Sequence, residues 1–106
     1  MMMLGYARVS TNEQDTAAQV SALKSAGCEK IFREKASGGR WDRPELIRLL
    51  DQLGTGDVLI VSRLDRLSRS LRDLLMIIER IKEAEAGFRS LTEAIDTTTA
   101  PGRMMM

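Results

Sequence analysis

Ser10 and a set of arginines are the residues of this chain whose types and spacing suit chemistry. Ser10 ends the stretch Met3-Leu-Gly-Tyr-Ala-Arg-Val-Ser10. Side chains alternate along a strand, and residues two apart lie about 6–7 Å from each other on one face. Tyr6, Arg8 and Ser10 therefore line one side, and Gly5, Ala7 and Val9 the other. A second concentration follows the apolar run Val58-Leu59-Ile60-Val61, where Arg63, Arg66, Arg69 and Arg72 stand against a single acid, Asp65. If that segment is helical from about residue 66, Arg66, Arg69 and Arg72 fall at i, i+3 and i+6 and form one slowly turning ridge. The plainer reading is a solvated face with Asp65 paired to Arg69. Location favours the sharper one, because the cluster sits beside a buried strand end and opposite a serine. Gln19 and Arg43 are placed to reach the same crevice from their helices.

A serine hydroxyl is a weak nucleophile and needs activation. Histidine is absent from the chain, which excludes a Ser-His-Asp triad, a histidine base and any histidine-ligated metal. Two substitutes remain. Asp65 can accept a proton, or dense arginine charge can favour the alkoxide and the oxygens of a transferring phosphoryl group. Of the 16 basic residues 12 are arginine, the planar fork that grips phosphate bidentately. Phosphoryl transfer asks for little beyond placement and charge stabilisation. By analogy with one oxyanion donor, each well-placed arginine is worth about 3 kcal/mol in the transition state. Acyl transfer is a poor fit, since no G-x-S-x-G elbow is present. The single cysteine, Cys28, excludes a disulfide framework and a thiolate metal cage, and it reads as a small packing residue. A net charge of +1 gives no global basicity to argue from.

These residues need elements to hold them. The 106 residues fit one domain. Residues 3–9 read as a first strand. A helix follows, capped by Thr11 or Asn12, with Ala17, Val20, Leu23 and Ala26 at helical spacing and Gly27 as its stop. Residues 30–34 form a short second strand and the glycine-paired 36–41 a loop, where Trp41 is expected to pack locally, with stacking on nucleic acid as the alternative. Asp42 and Pro44 open a second helix with Leu46, Leu49, Leu50 and Leu53 on its apolar face, ended by Gly54 and Gly56. The unbroken run 58–61 has the mark of a strand buried on both faces. A third helix spans about 70–85, with Leu71, Leu74, Leu75, Ile78 and Ile81 inward and Met76 as core or interface filler. Residues 88–91 make a fourth strand, and 95–102 read as a turn-rich tail. Strict alternation with short links predicts an α/β fold, a mostly parallel sheet of four to five strands with helices on both faces. Sites in such sheets lie beyond the carboxyl ends of the strands, where Ser10 and the 63–69 arginines fall. The charges within the third helix exclude a membrane span, no signal peptide is visible, and a soluble intracellular domain is the default expectation. Met104 to Met106 read as the first turn of a further apolar helix, or as an added tail.

Tyr6-Ala7-Arg8-Val9-Ser10-Thr11 and Leu64-Asp65-Arg66-Leu67-Ser68-Arg69, with Gln19, Lys35-Ala36-Ser37-Gly38, Asp42-Arg43-Pro44 and the tail from Thr92-Glu93 to Arg103, resemble the serine site-specific recombinases, the transposon resolvases and DNA invertases, over nearly the whole chain. The resemblance implies a resolvase-like catalytic domain over residues 1–102 and, at 103–106, the start of a dimerisation helix, with the family's helix-turn-helix domain absent. It implies that Ser10 is the nucleophile, forming a 5′-phosphoserine linkage to double-stranded DNA. Arg8, Arg66 and Arg69 match arginines around the scissile phosphate, Arg43 a further active-site arginine, Asp65 a candidate proton-transfer group, Gln19 a supporting position and Ser37 a second one. Arg8, Arg43, Arg66, Arg69 and Arg72 are then the DNA-binding set. The family needs no metal or cofactor and acts in the bacterial cytoplasm as a dimer that joins into a tetramer across two sites, whereas a catalytic domain alone is expected to be monomeric or weakly associated. Two other readings stand beside it: a regulatory module whose arginines hold a phosphate-bearing partner, and an α/β scaffold with a solvated arginine face.

Overall fold

The computed structural model describes residues 2–9, 16–35, 44–68 and 70–97. Among the described residues nine elements follow in order: β1 (Met3–Val9), α1 (Thr16–Ser25), β2 (Lys30–Lys35), α2 (Pro44–Gln52), β3 (Val58–Val61), α3 (Leu64–Leu67), α4 (Leu71–Glu83), β4 (Gly87–Ser90) and β5 (Ile95–Asp96). The sheet order is β2-β1-β3-β4-β5. The first four strands are mutually parallel, and β5 runs antiparallel to β4. The chain leaves β1 for β2 on one side and returns to β3 on the other, so the order reverses at the β1/β3 boundary. That is where open α/β sheets open a crevice.

Each sheet face has its own core. On one, Leu4, Tyr6, Phe32, Leu59, Val61 and Phe88 pack against Leu46, Leu49 and Leu50 of α2 and Ile77 and Ile81 of α4. On the other, Ala7, Val58 and Ile60 pack against Val20 and Leu23 of α1. All four residues of β3 are buried, as expected of a central strand covered on both sides. Gly5 belongs to the α1 side because nothing larger fits: a Cβ there would lie 3.0 Å from Cys28 Sγ and 3.2 Å from Leu23 Cδ1. Cys28 is thus a packing residue, and burial pushes its thiol up to about 11. Gly27 ends α1 in the left-handed conformation, φ 98°. Its N–H donates to Lys24 O at 3.0 Å and that of Cys28 to Leu23 O at 3.2 Å, the paired closure that favours glycine at this position.

Three expectations need correction. The tail contains a strand, β5, which Arg89 braces through Asp96 at 3.5 Å. The arginine segment is not one helix. It forms the short α3, becomes extended at Ser68 (φ −163°, ψ 146°) and restarts at Ser70, whose hydroxyl accepts from Asp73 N. Arg66 and Arg72 therefore lie on different helices, and the proposed ridge does not form. The inward face of α4 is also rotated: Asp73, Ile77 and Ile81 are buried, while Leu71, Leu75 and Met76 are 71%, 58% and 53% exposed. The restart sets that phase, because the Ser68 hydroxyl donates to Asp73 Oδ2 at 2.7 Å and draws position 73 inward. Among the described residues no helix is long and apolar enough to cross a membrane. Loop 36–43 with Trp41, and 98–106 with the terminal methionines, lie outside the described residues.

Candidate active site

The crevice is organised around Arg8, which is fully buried. β3 pairs with β1 only as far as Tyr6. Two residues on, the Gln19 amide of α1 takes both backbone groups of Arg8: Arg8 N donates to Gln19 Oε1 at 3.1 Å, and Gln19 Nε2 donates to Arg8 O at 3.0 Å. Gln19 is itself buried, and this reciprocal pair satisfies an amide that would be costly to leave unbonded. The guanidinium crosses to α3, where Nε donates to Arg66 O at 2.8 Å and Nη2 to Asp65 O at 2.7 Å. A buried cation is tolerable only when so bonded, and hydrogen bonds from a charged donor are worth about 2 kcal/mol each.

Arg66 is buried at the surface of this layer. With Ala18, Gln19, Ser62, Arg63 and Thr92 it lines a depression of about 320 Å³. The Asp65 carboxylate is half-exposed and pairs with Arg63 Nε at 3.2 Å; the pairing with Arg69 of the plainer reading falls on a residue outside the described ones. An exposed pair of this kind adds at most about 1 kcal/mol. Arg72 is exposed on the far side of the Ser68–Ser70 break. The structure thus brings Arg8, Gln19, Asp65 and Arg66 together and leaves Arg72 apart. Ser10, Ser37, Arg43 and Arg69 lie outside the described residues. In sequence, Ser10 directly follows Val9, the last residue of β1.

Four residues around the site carried no role in the sequence reading. Thr92 joins the β4–β5 turn to the end of β3, its N–H and its hydroxyl both donating to Ser62 O at 3.0 and 2.7 Å. Glu93 receives the Ser90 hydroxyl and, at 3.2 and 3.4 Å, the N–H of Leu64 at the start of α3. The Ser90 hydrogen bond, then the Leu64 N–H and the nearby Arg63, hold the Glu93 carboxyl below its ordinary value. Glu34 is buried at the end of β2, accepting from Tyr6 OH at 2.7 Å and from the N–H groups of Glu45 and Leu46 at 2.9 and 3.3 Å. Its signal was legible: it shares a strand face with the buried Phe32. The contacts of Thr92, Ser62 and Glu93 come from loop geometry that periodicity does not report.

A mostly parallel, switch-point α/β sheet with a depression lined by Arg63 and Arg66 beyond the carboxyl ends of β1 and β3 places the chain among the open α/β domains. The comparisons narrow it. The model of the family "Resolvase, N terminal domain" matches residues 3–106, and the chain belongs to that family. It is 54% identical over 102 residues to the DNA-invertase of Escherichia phage P1, covering 96% of this chain and 55% of that protein. It is 51% identical over 102 residues to the serine recombinase gin of Escherichia phage Mu, covering 96% and 53%. Among solved structures, the N-terminal catalytic domain of TP901-1 integrase superposes with a TM-score of 0.86 at 30% identity, covering 99% of this chain and 88% of that one. The chain spans about half the length of the curated relatives it matches.

Proposed function

We propose that this domain breaks and rejoins DNA as the catalytic part of a site-specific serine recombinase. The observation that carries the reading is the Arg8 guanidinium bonded at 2.8 and 2.7 Å to the backbone of Arg66 and Asp65, which supports one site built from the strand preceding Ser10 and the arginine segment. In this reading Ser10 Oγ attacks the phosphorus of one backbone linkage. The Oγ–P bond forms as the P–O3′ bond breaks, the serine proton is lost, and the departing 3′-oxygen gains one. A 3′-hydroxyl then attacks the phosphoserine, and the serine is restored. One phosphodiester energy is conserved throughout, so no nucleotide is consumed.

Arg66, facing the depression, and Arg43 and Arg69 bind the phosphate oxygens and offset the charge that grows on them. Arg8 aligns the α3 turn from within, and Asp65 is the candidate proton carrier. Gln19 fixes the end of β1 that leads into Ser10. Arg72 touches DNA outside the reacting linkage. Double-stranded DNA, a dimer joining into a tetramer and a cytoplasmic setting belong to the longer protein, with dimerisation through a helix that begins near 103–106. The +1 charge fits a domain that takes much of its phosphate affinity from elsewhere.

The test uses the full-length protein and DNA carrying its recombination site, scoring protein linked to 5′ ends on a denaturing gel. Ser10→Ala is expected to abolish the adduct, and an adduct that survives would overturn the reading. Arg66→Lys is expected to lose at least about 100-fold in cleavage, since a point charge does not replace a bidentate fork.

A further inference from the structure

α3 is four residues long, far too short to be stable alone. Its direction is therefore set by what holds its two ends. At the carbonyl end stands Arg8, bonded to Asp65 O and Arg66 O. At the amide end the residue before the helix, Arg63, provides no side-chain cap, and a carboxylate 29 residues away does so instead: Glu93 accepts the Leu64 N–H. Cation at the carbonyl end and anion at the amide end is the polarity that a helical turn favours. The Glu93 side chain is itself held, by the Ser90 hydroxyl at the end of β4. Its turn is pinned to β3 through Thr92 and Ser62 O. The next residue, Ala94, takes the left-handed conformation, φ 57°, which a side chain adopts at a cost. The surroundings thus impose this turn on a residue that does not prefer it.

We infer that Glu93 is a positioning residue for strand cleavage, acting through α3 to aim the Asp65 and Arg66 carbonyls at Arg8 and so to set the arginine layer against the scissile linkage. The cleavage part of this inference rests on the recombinase reading; the placement of Arg8 does not. Glu93 is exposed, so its contribution to global stability is small and its effect is local.

The experiment reads the Arg8 Nε–H by ¹⁵N NMR in this chain, with its exchange rate compared with the backbone amide of Ile60, a fully buried residue of β3. Glu93→Ala is expected to speed exchange of the Arg8 Nε–H by 10-fold or more while Ile60 stays within 2-fold. Glu93→Gln, which keeps an acceptor for Leu64 N, is expected to recover most of that loss. Asp51→Asn, the same charge change at the surface pair with Arg80, is expected to leave the signal unmoved. An Arg8 signal indifferent to Glu93→Ala overturns the inference, as does a glutamine variant no better than alanine or a parallel loss at Ile60. In the full-length protein, Glu93→Ala is expected to slow single-turnover cleavage about 10-fold with DNA affinity within 2-fold. Weakened affinity with an unchanged cleavage rate overturns the inference. A Ser10→Ala adduct would sink the recombinase reading while leaving the Arg8 result standing, so the two failures are distinguishable.

Discussion

Two carboxylates stand at the carboxyl edge of the sheet, and each receives the amide end of a helix. Glu34, at the end of β2, takes the N–H groups of Glu45 and Leu46 at the start of α2 together with Tyr6 OH. Glu93, after β4, takes Leu64 N at the start of α3 together with the Ser90 hydroxyl. The chemistry is the same and the setting is opposite: Glu34 is 7% exposed, whereas Glu93 is open to water. A buried cap of a nine-residue helix is part of what holds the fold. An exposed cap of a single turn holds little, but it decides where that turn points. Burial, more than the hydrogen-bond count, separates a stabilising cap from an aiming one.

Four measurements sharpen or break this contrast. The largest effect is expected from Glu34→Ala, which strands the Tyr6 hydroxyl and two helix amides in the core. Urea unfolding should show a loss of about 3 kcal/mol, and a loss below about 1 kcal/mol would erase the distinction. Tyr6→Phe removes one donor to the same carboxylate and should cost about 1 kcal/mol by the same assay. Glu93→Ala should cost no more than about 0.5 kcal/mol, despite its effect on Arg8. The smallest effect is a pH dependence. The Glu93 carboxyl titrates below its ordinary 4.5 in the folded chain, so its stabilisation is present above that value and is lost as pH falls through the folded value. Comparing acid unfolding of the parent with Glu93→Gln should show a difference confined to pH below about 4.5, with the two curves parallel from pH about 5 to 8.

What could be read in the sequence was whatever one element decides alone. Val58 to Val61 announce a doubly covered strand, and the leucines at 46, 49, 50 and 53 point inward together, as they do in the structure. Gly27 marks the end of α1 because its backbone conformation favours glycine. The convergence of Arg8 with the 63–66 segment was also legible, since strand order and alternation send both to one edge. A helix start near Ser70 was legible and holds, with Ser70 three residues before Asp73 as a capping pair; the separate turn of α3 before it was not, because no glycine or proline marks its end. Leu71 and Leu75 were placed inward by residue type, whereas the burial of Asp73 turns them outward. Nor did residue type reveal which protein groups meet Arg8: its Nε and Nη2 donate to the carbonyls of Arg66 and Asp65, contacts across more than fifty residues that no local pattern reports. Glu93 acts across 29 residues, and no periodicity reports a contact at that range.

The extended backbone at Ser68 and Ser70 divides what would otherwise be one rigid rod. The Ser68 hydroxyl ties the two pieces together at this corner, donating to Asp73 Oδ2 at 2.7 Å, and that contact rather than a shared backbone axis sets how α4 turns, with Leu71, Leu75 and Met76 outward. The heading of α4 is therefore fixed separately from that of the turn carrying Arg66, whereas an unbroken helix of the same length would impose one axis on both.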